Sequence, residues 1–361
     1  MKIFIVCNYI GGGGAERVAV LMANGLADIG HEVCIIADLE RYRSYEVNGK
    51  VRQLWLHKTG IPVKNRIWQG IKNIRRYAKQ YRPDVIIGNM HICSLISRIG
   101  TIGMRIPVVL TIHHALESDT YHFPLVLKLL DRHSLWMYPH FTVLTQPDKE
   151  FLGRKGKRAV VMPNPVSFSP LSEVPEKEKF ILASGRINDW KYKGWDVLIK
   201  TWAKIADKYP DWKVKIAGNG SEETFMFLKS MAKDYGVLDR IEFLGFRNDI
   251  MDLFNKASIF LLSSRTEGLP MVLIEAMSQG CAPVATDFKG RTKEIITNDN
   301  EGLLAQPEDC DKLAENLSLL IENPSLREKI QRGAMERSKY YLTDHVLDLW
   351  EEFLDSFVKA G

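Results

Sequence analysis

No apolar run in the 361 residues approaches the roughly 18 needed to cross a bilayer as a helix, which argues against a helical membrane-spanning protein. The stretch Met1-Lys-Ile-Phe-Ile-Val-Cys-Asn8 is too short an apolar core for a secretory signal, and no small-residue cleavage site follows it. Cysteine is scarce: Cys7, Cys34, Cys93, Cys281 and Cys310 are scattered, odd in number and without metal-ligand spacing. That argues against a disulfide framework or a structural zinc and leads us to expect a cytoplasmic protein. Hydrophobic residues at 45% and charged residues at 26% are those of a globular chain, and 361 residues suffice for two ordinary domains.

Acidic residues are also unevenly missing. Residues 1–170 hold 23 Lys and Arg against 12 Asp and Glu, a surplus of +11, whereas residues 171–361 hold 26 against 32, or −6. Between Lys64 and Arg82 there are seven basic residues and no acid, with Ile67, Ile71, Ile74, Ala78 and Tyr81 at helical spacing and Trp68 on the flank. This predicts an amphipathic helix with a basic outer face, which suits an anionic membrane surface and equally the solvated side of a core-packed helix. Nucleic acid is not expected as a partner, since no recognised nucleic-acid module accompanies the charge.

What is present is a repeated alternation of apolar strands and helices. Lys2–Cys7 reads as a buried strand, followed by Gly11-Gly-Gly-Gly-Ala-Glu-Arg17, a helix with Val18, Leu21, Met22 and Leu26 inward and a stop at Gly30, and a second strand at Glu32–Ala37. The dinucleotide fingerprint is lacking, because Glu16 stands at its last glycine position. The glycines still allow close approach of backbone to a ligand. Further strands are expected at 84–88, 107–112, 141–145 and 159–162, the second ending in His113-His114. Residues 163–179, rich in proline and polar side chains, read as an interdomain linker. Beyond it, strands at 180–183, 213–217, 241–244, 257–264 and 282–286 form a second α/β series. The expected fold is therefore α/β, two doubly wound domains with a ligand cleft between them.

The strand ends of the second series carry the chemistry. Ser184-Gly-Arg-Ile-Asn-Asp-Trp-Lys-Tyr-Lys-Gly194 places Arg186, Lys191 and Lys193 on one loop, a set suited to a diphosphate. Gly218-Asn-Gly220 and Gly245-Phe-Arg247 occupy the neighbouring strand ends. The stretch Arg265-Thr-Glu-Gly-Leu-Pro-Met-Val-Leu-Ile-Glu-Ala-Met277 joins a buried strand to a helix with Pro270 near its first turn and a stop at Gly280. That helix start is apolar almost all round apart from Glu275, and Glu267 lies in the loop before it. A buried carboxylate needs partners or a ligand, and a helix N-terminus at a strand's carboxyl end is a phosphate site. A nucleotide-sugar or dinucleotide pocket with two carboxylates is the resulting expectation.

In this order the motifs resemble the retaining glycosyltransferases of family 4. The family's signature, two glutamates separated by seven residues, is matched by Glu267-Gly-Leu-Pro-Met-Val-Leu-Ile-Glu275. Supporting matches are Gly-Gly-Ala-Glu-Arg at 13–17, Thr111-Ile-His113, Asn164-Pro-Val166, Gly185-Arg186, Lys193-Gly194, Ala217-Gly-Asn-Gly220, Phe243-Leu-Gly245 and Gly302-Leu-Leu304. The resemblance implies the GT-B fold of two facing Rossmann-like domains: residues 1–168 for the acceptor, 169–339 for the donor, and a C-terminal helix over about 340–361 crossing back to the first.

It further implies that Arg186 and Lys193, or Lys191 as second choice, neutralise the donor diphosphate. Backbone amides at Gly13 and Gly14, and at the helix start near Leu269 to Met271, would frame the phosphates, with Pro270 shaping that turn and Gly218 beside them. Glu275 would take the ribose hydroxyls, Phe246 and Arg247 the base, and Glu267 and His113 the sugar; the division of labour between His113 and His114 stays open. The family needs no metal and no cofactor besides the nucleotide-sugar substrate. The implied activity is transfer of a hexose or N-acetylhexosamine, with a UDP-sugar favoured, to a saccharide or lipid-linked acceptor at the inner face of the cell membrane. A sugar-nucleotide epimerase or hydrolase on the same fold, or a non-catalytic partner subunit, is the alternative.

Overall fold

The computed structural model describes residues 1–41, 43–117, 134–166 and 168–358, and among these thirteen short segments, most of them apolar, become strands. The chain divides into two compact units, Met1–Pro165 with Thr343–Gly361, and Val166–Leu342.

In the first unit the strands are β1 (Lys2–Tyr9), β2 (Glu32–Asp38), β3 (Arg52–Trp55), β4 (Val85–Asn89), β5 (Val108–Thr111), β6 (Phe141–Val143) and β7 (Ala159–Val161). They pair in the order β3-β2-β1-β4-β5-β6-β7, all parallel. Ile3 to Cys7 are buried without alternation, as expected when helices cover both faces of a parallel sheet. One cover is α1 (Gly14–Asp28), which turns Val18, Met22 and Leu26 inward. Another comprises α2 (Val63–Tyr81) and α3 (Met90–Gly100), whose Ile74, Tyr77 and Ile96 pack with Phe4, Ile36, Ile86 and Leu110. The C-terminal helix Thr343–Val358 lies on α1, where Gly25 leaves room for Leu347 and His31 Nε2 meets Glu351 Oε1 at 3.1 Å.

In the second unit β8 (Glu178–Ser184), β9 (Lys213–Ala217), β10 (Ile241–Gly245), β11 (Ala257–Leu262), β12 (Ala282–Thr286) and β13 (Leu303–Ala305) form a parallel sheet ordered β10-β9-β8-β11-β12-β13. Its core joins Ile181, Val214, Ile259 and Val284 to Trp195, Trp202, Leu228, Leu313 and Leu317 from the covering helices. Each sheet reverses its winding once, between β1 and β4 and between β8 and β11, and such a switch point is where open α/β sheets hold ligands.

The expected boundaries need correcting in several places. Strand β3 was not foreseen; Arg52-Gln-Leu-Trp55 is short, half polar and at a sheet edge, so it lacks the continuous apolar run of a central strand. The expected linker ends earlier, because β8 begins at Glu178. Residues 187–193, expected as loop, form a 3-10 turn at Ile187–Asp189 and a helical turn at Trp190–Lys193. On α2 the buried set is Gly70, Ile74, Tyr77 and Ala78, while Ile67 lies exposed beside Trp68, which is 64% exposed.

Candidate active site

The carboxyl ends of the two switch strands β8 and β11 bring together the densest set of candidate residues. After β8 the chain turns at Gly185, and after β11 it runs through Ser263 and Ser264 into the loop that carries Glu267. These segments are stitched to each other. Lys193 Nζ contacts Glu267 Oε1 at 2.8 Å, with both side chains largely withdrawn from solvent. Ser264 Oγ donates to the same oxygen at 2.7 Å, and Ser263 Oγ donates to the Lys193 carbonyl at 3.1 Å. Gly194 makes the approach feasible: its φ is +65°, and a Cβ there would strike the Ser263 carbonyl oxygen.

Arg265 ties the same segments together. Its guanidinium forks onto Asp196 with two contacts of 2.8 Å, reaches Glu308 at 2.5 Å and donates to the Lys191 carbonyl at 2.7 Å. Its backbone N–H adds a bond to the Tyr192 carbonyl at 2.8 Å. Burial of Asp196 opposes its ionisation, but Arg265 and Lys200 outweigh that and hold its carboxyl below the usual range. Planar, bidentate, charge-assisted pairs of this kind fix orientation as well as charge. The adjacent strand ends fit tightly too: Gly218 donates to the Gly245 carbonyl at 2.8 Å, and a Cβ on Gly218 would collide with the Gly185 carbonyl.

The helix Met271–Ser278 starts at this end of the sheet, with Leu269 and Pro270 buried ahead of it and Glu275 only 5% exposed within it. Gly280 closes it with φ +75°, as its sequence position predicts. Arg186 and Lys191 do not join the Lys193–Glu267 pair. Arg186 pairs with Asp189 at 2.8 Å and is mostly exposed, while Lys191 is exposed and contributes its backbone carbonyl to Arg265. Phe246 is 69% exposed, and Arg247 forks onto Asp249 at 2.7 and 2.5 Å.

The first unit holds its own cluster. Gly12 has φ +87°, Gly13 is the N-cap of α1, Gly14 is its first residue, and Tyr45 Oη donates to the Gly13 carbonyl at 3.2 Å. Beyond β5, His113 Nδ1 lies 2.9 Å from Asn164 Oδ1 and Nε2 lies 2.9 Å from Thr111 Oγ1. An amide oxygen only accepts, so Nδ1 carries the proton and Nε2 accepts the Thr111 hydroxyl. Burial, with His114 adding to it against the pull of Asn164, pushes His113 down to about 4, so the ring is neutral near pH 7. His114 is buried and its ring lies 6.1 Å from that of His91.

Two family models match the chain: "Glycosyl transferases group 1" over residues 168–337 and "Glycosyltransferase Family 4" over residues 12–169. The chain belongs to the group 1, family 4 glycosyltransferases. Among relatives of this glycosyltransferase, an uncharacterized glycosyltransferase of Haemophilus influenzae is 29% identical over 97% of this chain and 99% of its own. The Campylobacter jejuni protein named "GalNAc-alpha-(1->4)-GalNAc-alpha-(1->3)-diNAcBac-PP-undecaprenol alpha-1,4-N-acetyl-D-galactosaminyltransferase" is 27% identical over 97% of each chain. The Erwinia amylovora amylovoran biosynthesis glycosyltransferase AmsD is 26% identical over 95% of this chain and 96% of its own.

The same two-unit fold is found in a solved sucrose-phosphate synthase from Thermosynechococcus elongatus, at TM-score 0.84, 17% identity and full coverage of both chains (100%). It recurs in Anabaena HepE in complex with UDP-glucose, at TM-score 0.80 and 18% identity over 99% of this chain and 100% of that one. This glycosyltransferase is thus two Rossmann-like parallel-sheet units of the GT-B class.

Several contributors were missed at the level of sequence. Arg265 stands at the head of the glutamate stretch, but its partner Asp196 is 69 positions away and no periodicity links them. Asn164 was visible as part of a motif, although not as the partner of His113, 51 positions distant. Among the described residues no cluster of three or more His, Cys, Asp or Glu is arranged to hold a metal ion, and no helix is long and apolar enough to cross a membrane.

Proposed function

We propose that this glycosyltransferase moves a hexose or N-acetylhexosamine from a nucleotide sugar, with a UDP-sugar favoured, to a saccharide acceptor, with retention at the anomeric carbon. The observation that supports this best is the Lys193–Glu267 pair, held at 2.8 Å where the second sheet changes direction. An ammonium has three donors, so Lys193 can hold a diphosphate oxygen while one N–H stays on Glu267. Arg186, exposed two residues past β8, supplies a second cation by swinging from Asp189. Together with the N–H groups at the start of the Met271 helix, they meet the charge that develops on the leaving nucleoside diphosphate. In this reading no metal is needed for that neutralisation.

Glu267, oriented by Ser264 and Lys193, sets its carboxylate beside the donor sugar and favours an oxocarbenium-like state. In the first unit, neutral His113, fixed by Thr111 and Asn164, offers an uncharged hydrogen-bonding group to a sugar. Glu275 accepts the ribose hydroxyls, Gly218 permits close approach, and the backbone around Phe246 and Arg247 holds the base. The reaction belongs to the synthesis of cell-surface polysaccharide, lipopolysaccharide or a lipid-linked glycan, as the names of the Campylobacter jejuni and Erwinia amylovora relatives suggest. The exposed Trp68 and Val63 on basic α2 suit an anionic membrane surface on the cytoplasmic side.

Purified protein incubated with a panel of nucleotide sugars and an acceptor extract should release nucleoside diphosphate only when acceptor is present, and an α-donor should yield an α-linked product. Release without acceptor would favour an epimerase or hydrolase, and a β-linked product from an α-donor would rule out retention.

A further inference from the structure

A second polar constellation lies at the carboxyl ends of β1, β2 and β3, at the winding reversal of the first sheet. There Asn8, Tyr9, Asp38, Leu56 and His57 line a cavity of about 140 Å³, walled by Val63, Ile67, Ile92 and Ile96 and flanked by Arg41 and Arg66. Asp38 is 1% exposed, and its Oδ1 is satisfied by Thr59 Oγ1 at 2.7 Å and the Glu40 N–H at 3.2 Å. Its other oxygen, Oδ2, is buried with no hydrogen-bond partner among the described residues, and so is Nδ1 of His57. The two atoms are 3.8 Å apart, beyond hydrogen bonding to each other. A buried ionised oxygen without a partner is costly, and buried polar atoms in native proteins ordinarily find one.

We propose that this cavity binds one pyranose-sized ring of the saccharide acceptor, with a ring hydroxyl donating to Asp38 Oδ2 and a second hydroxyl on His57 Nδ1. A cavity of roughly 150 Å³ holds a benzene-sized ring, so there is room for one ring, its outer substituents reaching the open rim, and not for a chain. The inner polar pair is one carboxylate and one imidazole, which burial keeps neutral against the pull of Asp38. Such a pair suits uncharged hydroxyls and repels a phosphate at the same depth. The four aliphatic wall residues favour a ring that carries a methyl-bearing substituent, an acetamido or deoxy sugar, over a plain hexose. Arg41, at the exposed rim, and Arg66, which donates to the Ile61 carbonyl at 2.6 Å, leave positive charge outside that ring.

Identifying the ring with the acceptor rests on the transferase reading above. Saturation-transfer NMR on the full chain with N-acetylglucosamine, N-acetylgalactosamine and glucose tests the site directly. The expected result is transfer strongest at the acetamido methyl, lost in Asp38→Ala and in Ile92→Trp, which fills the cavity without touching the polar pair. Should Asp38→Ala fail to fold, Ile92→Trp retains the test. UDP binding by thermal shift should be the same in wild type and both variants. In turnover assays Asp38→Ala should raise the acceptor KM by about tenfold or more, as expected for a lost bond to a charged acceptor.

No transfer from wild-type protein to any of the three rings, or undiminished transfer in Ile92→Trp, overturns the site. If rings bind at Asp38 but no donor is turned over, the transferase reading fails and the site stands. If turnover proceeds and Asp38→Ala leaves the acceptor KM unchanged, the site fails and the transferase reading stands.

Discussion

Replacing Arg265 by Met removes the fork on Asp196 while keeping a long apolar stem, and it isolates what holds the Lys193–Glu267 pair in place. Asp196 has a side chain only 8% exposed, so losing its partner strands a largely buried carboxylate beside Lys200, which is more distant at 3.6 Å. Breaking one member of a buried pair costs about 3–5 kcal/mol. The partial exposure of Arg265, at 22%, places the expected loss near the lower end, about 3 kcal/mol. For a unit of 150–250 residues that lowers Tm by roughly 6–12 °C.

Urea unfolding followed by tryptophan fluorescence is a direct assay, since buried Trp195 adjoins Asp196 and its indole N–H donates to the Arg186 carbonyl. The double variant Arg265→Met, Asp196→Leu should recover much of the loss, because no buried charge then remains. The pH dependence has a definite sign. Asp196 is held below its unfolded value, so its contribution is complete above about pH 4 and disappears as pH falls through the lowered folded value. Asp196→Asn should flatten that acid limb. An Arg265→Met protein within about 0.5 kcal/mol of wild type, the range of ordinary surface changes, would refute the reasoning.

Other expectations concern the site and the surface. Glu267→Ala should lower kcat by about a hundredfold or more with the fold intact, whereas Glu275→Ala should mainly weaken UDP binding in a thermal-shift titration; equal behaviour of both variants and wild type would remove the glutamate pair from the mechanism. Gly194→Ala combines positive φ with a clash on the Ser263 carbonyl, and should cost about 2 kcal/mol or more in urea unfolding. His113 resists protonation until about pH 4 in the folded chain, whereas an unfolded histidine takes a proton near pH 6.5; stability should therefore fall as pH drops across that interval, by up to about 3 kcal/mol, and His113→Asn should remove the slope. Vesicles containing anionic lipid should sediment the protein, and Trp68→Ala with Arg75→Gln and Arg76→Gln should weaken that retention; equal pelleting by neutral vesicles would return α2 to an ordinary solvated face.

The sequence by itself determined the architecture and the addresses of most candidate residues. Buried parallel strands such as Lys2–Tyr9 and Ala257–Leu262 are continuous apolar runs, and helix stops at Gly30 and Gly280 need positive φ, so local pattern and backbone sterics suffice to find them. The glutamate stretch, the glycine loop and His113 were legible for the same reason: each sits where an apolar strand ends.

Only the tertiary structure decided which of these groups meet. Lys193 and not Lys191 reaches Glu267 because Gly194 lets that turn press against Ser263, a contact 69 residues away in the chain. The bond from Arg265 to Asp196 likewise joins a strand end to a distant helix, and the bond from His113 to Asn164 and the approach of Asp38 to His57 join residues on different strand ends. A parallel sheet aligns its strand ends through crossovers of many residues, so the partners carry no local signature. Their pairing is a property of strand order, and strand order is settled by packing the whole core.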